Sequence, residues 1–181
     1  MRFAALLLLA CLAGPVLAQD EEFDPYANVV VSDDLAALPE PVRAMREALI
    51  AATRSGDIEN LRPIMDAQEY PPTVSFGGPD DPVAYLRDQS DDPEGQPTLA
   101  ILRNLLEMPY AVETFEDGRA SYVWPYLAAV DLEKLTPEQT VDAYRLVTPE
   151  EFDDLAAFGG WFWWRVHIGA DGEWQAFVAG D

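Results

Sequence analysis

The residues with the greatest chemical reach lie near the C-terminus. Strand alternation over Trp161 to Gly169 puts Trp161, Trp163, Arg165 and His167 on one face, with Phe162, Trp164, Val166 and Ile168 on the other. Two large rings, a guanidinium and an imidazole can line a small-molecule pocket, Arg165 holding an anion and the rings supplying apolar area. Trp124, followed by Pro125 and Tyr126, is a further candidate for the same aromatic group. The alternative is plain packing, with the tryptophans under the helices and Arg165 paired to one of many acids.

Other chemistries lack their residues. The chain has one histidine, His167, and one cysteine, Cys11. Zinc sites need several imidazole or thiolate ligands, so no metal centre of that kind is expected. A serine–histidine–aspartate triad has to use His167, and no Gly-x-Ser-x-Gly elbow is present. No phosphate-binding glycine fingerprint occurs, so no cofactor is expected. Asp88, Ser90, Asp91, Asp92 and Glu94 approach a calcium loop. Pro93 stands where its glycine belongs, however, and Leu99 where its closing glutamate belongs. The segment 88–95 therefore reads as a solvated acidic loop, with a weak calcium site as the alternative. Glu150, Glu151, Asp153 and Asp154 crowd the start of a helix, where negative charge suits the positive end of the macrodipole.

Charge narrows the partners. The 181 residues include 33 acids and 11 lysines or arginines, a formal net charge of −22. Such a chain has no basic footprint for nucleic acid. With 49% apolar and 11% aromatic residues, it is not a disordered acidic tail. Its length suits one domain with a real core.

The N-terminus reads as a targeting signal over residues 1–18. Met1-Arg2 supplies positive charge, Phe3 to Leu12 an apolar run, Gly14-Pro15 a helix break, and Val16-Leu17-Ala18 a small-residue cleavage site. The run is too short to span a bilayer, which takes roughly 20 residues. Cleavage after Ala18 predicts a periplasmic or secreted protein with no transmembrane segment. It also removes Cys11, so a domain without disulfides must be held by its apolar core. Leu8-Leu9-Ala10-Cys11 looks like a lipoprotein box, which would anchor the chain instead.

The elements that must position these residues follow in order. Residues 19–38 form an acidic, flexible lead-in. Its Val29-Val30-Val31 is either a short strand of its own or an edge of the domain sheet. Val42, Met45, Leu49 and Ala52 predict a helix from Pro41 to Ser55. Asp57 caps a short second helix through Leu61, limited by Pro63. Thr73 to Phe76 is extended. Asp81-Pro82 opens a third helix, and Pro97 to Glu107 forms a fourth. Tyr110 to Trp124 reads as a hairpin turning at Asp117-Gly118, with Glu116 opposite Arg119 and Val112 opposite Val123. Thr136-Pro137-Glu138-Gln139 and Thr148-Pro149-Glu150-Glu151 are capping boxes, the second with a staple between Val147 and Phe152. A closing hairpin turns at Asp171-Gly172. A two-residue turn there puts Trp174, Ala176 and Val178 on the face of Trp161, and a three-residue loop swaps that assignment. The sum is one α+β domain over residues 39–181, a mostly antiparallel sheet of two hairpins with helices packed on one face.

Two resemblances accompany this reading. The first helix leading into Arg54-Ser55-Gly56-Asp57, and Asp171-Gly172-Glu173-Trp174 before Phe177, resemble nuclear transport factor 2-like (SnoaL-like) α+β domains. The two capped helices between the hairpins depart from that pattern. Trp124-Pro125-Tyr126, Leu135 to Gln139 and Gly172 to Asp181 are similar to uncharacterised exported proteins of proteobacteria, which implies location and no activity. The expected function is a non-enzymatic accessory or small-ligand-binding module of the bacterial envelope, its partner a small molecule or an envelope protein. The alternatives are a small hydrolase or isomerase using a carboxylate as acid or base, and a structural partner-binding domain.

Overall fold

A computed structural model describes residues 24–180; the expected targeting signal at 1–18, Cys11 within it, and Asp181 lie outside them. The described chain is α+β, with six α-helices and a five-stranded antiparallel open sheet. The strands β1 (Val29–Ser32), β2 (Tyr110–Thr114), β3 (Ala120–Trp124), β4 (Arg165–Gly169) and β5 (Trp174–Val178) lie in sequence order across it. The three valines are thus the edge strand of the domain sheet, paired with β2 through Val30 opposite Val112.

The helix α1 (Glu40–Arg54) matches its periodicity, and its Val42, Leu49, Ile50, Ala52 and Thr53 are buried. Asp57 caps a 3-10 turn over Ile58–Leu61, accepting the Glu59 N–H. Pro63 does not end the helical path there. It occupies the first turn of α2 (Arg62–Asp66), where its missing N–H breaks no hydrogen bond. Asp81 caps α3 (Pro82–Asp88), and α4 (Gln96–Leu106) buries Leu99, Leu102, Leu105 and Leu106. In the acidic loop, Asp92 Oδ1 accepts the N–H groups of Gly95 and Gln96 at 2.7 and 3.0 Å, so this carboxylate serves the entry to α4.

Thr136 and Thr148 open α5 (Pro137–Tyr144) and α6 (Pro149–Phe158) with complete reciprocal capping boxes. Val147 and Phe152, the expected staple, are both buried in one cluster.

The first hairpin turns differently from expectation, and the second takes the three-residue loop of its two alternatives. Phe115 N–H donates to the Arg119 carbonyl, so the first loop has three residues, and Ala111 faces Val123 while Val112 faces Tyr122. A two-residue type I′ turn would require φ above zero at Asp117, and among the described residues only glycines have it. Gly118 alone takes φ +81°, while Asp117 accepts the Arg119 N–H and pairs with its guanidinium at 2.7 Å. Glu116 therefore does not face Arg119.

In the second hairpin Gly169 N–H donates to the Glu173 carbonyl, again a three-residue loop. A bulge between His167 and Ile168 then shifts the pairing by one, so His167 faces Ala176 and Arg165 faces Val178. Trp174 consequently lies with Val166, Ile168 and Phe177 in the main core. It does not join the face of Trp161.

That main core joins one sheet face to α1 and α4 through Leu49, Leu102, Leu105, Trp124 and Trp174, all fully buried. Burying each leucine side chain contributes roughly 1.5–3 kcal/mol. Over β2 and β3, the opposite face carries a second cluster. There Ala111 and Val123 meet Tyr126, Leu127, Ala143, Val147, Phe152 and Trp161. The far edge, β5, is covered by Thr73, which pairs in parallel with Ala176. This is the whole of the expected extended stretch at 73–76 that joins the sheet.

Candidate functional site

The largest of four concavities among the described residues follows from a helix that is apolar on two sides. While Val42 and Leu49 of α1 face the core, Pro41, Ala44, Met45 and Ala48 form a second stripe at helical spacing. Ala44 and Ala48 are exposed and small, so the helix surface stays low along this line. Opposite it stand Pro63, Ile64 and Ala67 of α2 and its C-terminal end. Gln68, Glu69 and Tyr70 continue that wall, and the β4–β5 turn supplies the third with Asp171, Gly172 and Glu173. The resulting open groove encloses about 840 Å³.

Specific contacts fix the walls. Gln68 Oε1 accepts the backbone N–H of Trp174 at 2.5 Å, tying the end of α2 to the start of β5. Asp171 Oδ1 accepts the Glu173 N–H at 3.1 Å and shapes the turn. Gly172, at φ +89°, lies against the first turn of α1. Met45 and Ile64 reach past the groove onto the main core, so its floor is continuous with packed interior.

One donor is left over. Gln68 Nε2 is buried and has no hydrogen-bond partner. An orphaned buried donor costs on the order of 1–3 kcal/mol, which singles out this side chain among the lining residues.

Compared with known proteins, the chain matches no family model, no curated protein and no solved structure.

The five residues singled out from the sequence do not line this groove, nor the smaller clefts of about 500, 360 and 260 Å³. The alternation that grouped them begins too early, because β4 starts at Arg165 and Trp161 to Trp164 precede it as irregular chain. Trp161 and Trp163 do meet, edge to face at 6.1 Å, and the Trp161 indole donates to the Trp164 carbonyl at 3.1 Å. Trp164 instead stacks on Phe177 at 4.6 Å. Arg165 donates to the Gly180 carbonyl at 2.6 Å. Trp124 is fully buried in the main core, and its indole N–H has no partner.

His167 belongs to a polar row on the face opposite α1. Its Nδ1 lies 3.5 Å from the Ser121 hydroxyl, which donates to Gln175 Oε1 at 3.2 Å. Burial and the nearby Arg165 charge push the imidazole down to about 4, so it is neutral at ordinary pH. Glu113, opposite Ser121 on the next strand, has its carboxyl pushed up by burial. Such a carboxyl is the raw material of acid–base chemistry, yet it borders none of the four clefts described.

The groove was not among the expected sites. Its signal in the sequence is the second apolar stripe on α1, which a reading for a single buried face passes over.

Proposed function

We propose that this protein is a non-enzymatic binding module of the bacterial envelope, and that the groove between α1, α2 and the turn at 171–173 takes a small apolar ligand. The observation that carries this reading is the groove, about 840 Å³ and lined by Pro41, Ala44, Met45, Ala48, Ile64 and Tyr70. Ligand pockets commonly run from about 300 to 1,000 Å³ and are mostly apolar with a few polar groups, here Gln68. The envelope assignment is supported by the charged start, apolar run and small-residue end of residues 1–18.

Titration with the neutral probe N-phenyl-1-naphthylamine tests the groove. One saturable site is expected in the wild type. It should be lost in Ala48→Trp, whose exposed position leaves thermal unfolding unchanged. Equal binding by that variant, or no binding by either protein, overturns the reading. The N-terminal residue of protein recovered from a bacterial periplasm tests export; Gln19 is expected, and retention of Met1 in the cytoplasm overturns it.

A further inference from the structure

The groove has a sign. The charged residues lining it, Glu69, Asp171 and Glu173, are all acids. Nothing in the fold neutralises them: among the described residues none of the three makes an ion pair. The nearby cations are engaged elsewhere, Arg43 with Glu40, and Arg62 with Glu59 and Asp81. Glu69 and Glu173 are also brought together by the backbone. They are the chain neighbours of Gln68 and Trp174, which share a hydrogen bond, and Asp171 shapes the same turn.

We propose that the ligand of this groove is a cationic amphiphile: an alkyl or aryl body lying between α1 and α2, with an ammonium-type group held by Glu69, Asp171 and Glu173. This rests on the reading of the groove as a ligand site and adds the class of ligand. Apolar burial supplies affinity along Ala44, Ala48 and Ala67, and the three carboxylates supply selection, since a fixed charge discriminates by sign more than it adds raw affinity. An anionic amphiphile meets three uncompensated like charges, on a chain whose net charge is −22. The enclosed space suits a small molecule, and a docked protein commonly covers about 800 Å² per partner, more than a groove of this kind offers.

The test compares three ligands with one chain and three head charges: decylamine, decanol and decanoate, each below its aggregation concentration, by calorimetry at neutral pH. Decylamine is expected to bind at one site about tenfold more tightly than decanol, with decanoate weakest, and the preference should shrink at high salt. In the triple variant Glu69→Gln, Asp171→Asn, Glu173→Gln, decylamine should fall to the level of decanol while decanol itself is unchanged. Asparagine at 171 keeps the oxygen that accepts the Glu173 N–H. Ala48→Trp should abolish all three. Equal affinities in the wild type overturn the charge selection while leaving the groove a ligand site. Decylamine binding at several sites, indifferent to Ala48→Trp, overturns the proposal as non-specific attraction to an acidic surface. Binding of an amphipathic leucine–lysine peptide without binding of decylamine overturns it in favour of a protein partner.

Discussion

Gly172 stands so close to Pro41 that a Cβ on it would lie 2.8 Å from both the Cβ and the carbonyl oxygen of the proline. The turn of the last hairpin is thereby seated on the first turn of α1, across residues 131 positions apart in the chain. Backbone cannot yield as a flexible side chain would. Two penalties therefore coincide at this glycine, the clash and a φ of +89°. Gly172→Ala should cost at least about 2 kcal/mol in urea unfolding. Gly118→Ala is the control, since φ there is +81° but nothing lies within 4 Å. It should cost only about 1 kcal/mol. Equal costs would mean that the contact with Pro41 carries no weight.

Gln68 is the second fastener of the same region. Its amide oxygen accepts the Trp174 N–H, and Trp174 is fully buried. Gln68→Ala orphans that backbone N–H but also removes the orphaned Nε2, so the two costs largely offset and the loss expected is that of the hydrogen bond itself, about 1 kcal/mol. Gln68→Glu keeps an acceptor in place but buries a carboxylate beside Glu69 and Glu173. It should recover part of the loss at low pH, where the new acid is protonated, and not at pH 8. Chemical denaturation at both pH values checks this.

His167 predicts a pH dependence. The folded imidazole resists protonation down to about pH 4, against an ordinary value of 6.5. Between those values the unfolded chain binds the extra proton, so stability falls as pH falls from 6.5 to about 4. The full loss approaches roughly 3 kcal/mol below that window. Carboxylates held low by their partners, such as Asp81 by the α3 backbone and Arg62, lose stability as the pH falls further. The difference between wild type and His167→Gln isolates the histidine. It should vary across pH 6.5 to 4 and be flat from 7 to 9; a flat difference throughout would sink the idea.

Caps give the most local prediction. Thr136→Ala and Thr148→Ala each remove a side chain that accepts the N–H three residues on. Each should cost about 1 kcal/mol in thermal unfolding. Serine at either position should restore most of it.

The pattern of what the sequence discloses follows from range. Thr136, Thr148, Asp57 and Asp81 are legible because a cap is settled within three or four residues. The two hairpins are legible because the turn glycines are strong signals, whereas the pairing of β3 with β4 that joins them is set by residues over forty positions apart. Registers were not legible either, since loop length hangs on the φ of one residue, Asp117, whose dipeptide with Gly118 suits more than one turn. Trp161 and Trp163 were grouped with Arg165 and His167 by an alternation that needs the strand to begin four residues earlier than it does. The groove was the least legible feature. Ala44 and Ala48 look like ordinary exposed helix positions until α2 and the 171–173 turn, distant in sequence, are placed across from them.

The three-residue loop at 170–172 and the bulge in β5 displace the pairing in opposite senses, so the pairing from His167 outward is that of a regular two-residue hairpin. The residue that makes up the difference is Gln175, and it is not idle. Its carbonyl accepts the Thr73 N–H at 2.9 Å, and its side chain accepts the Ser121 hydroxyl. A one-residue deletion at this point would leave a tidier hairpin and a poorer protein. It would remove one of the two backbone hydrogen bonds that hold Thr73 to the sheet edge, leaving that from the Phe177 N–H, and strip Ser121 of its acceptor in the same event. Loop and bulge are therefore one unit: a change of loop length at 170–172 keeps His167 opposite Ala176 only if the strand gains or loses a residue at position 175 to match.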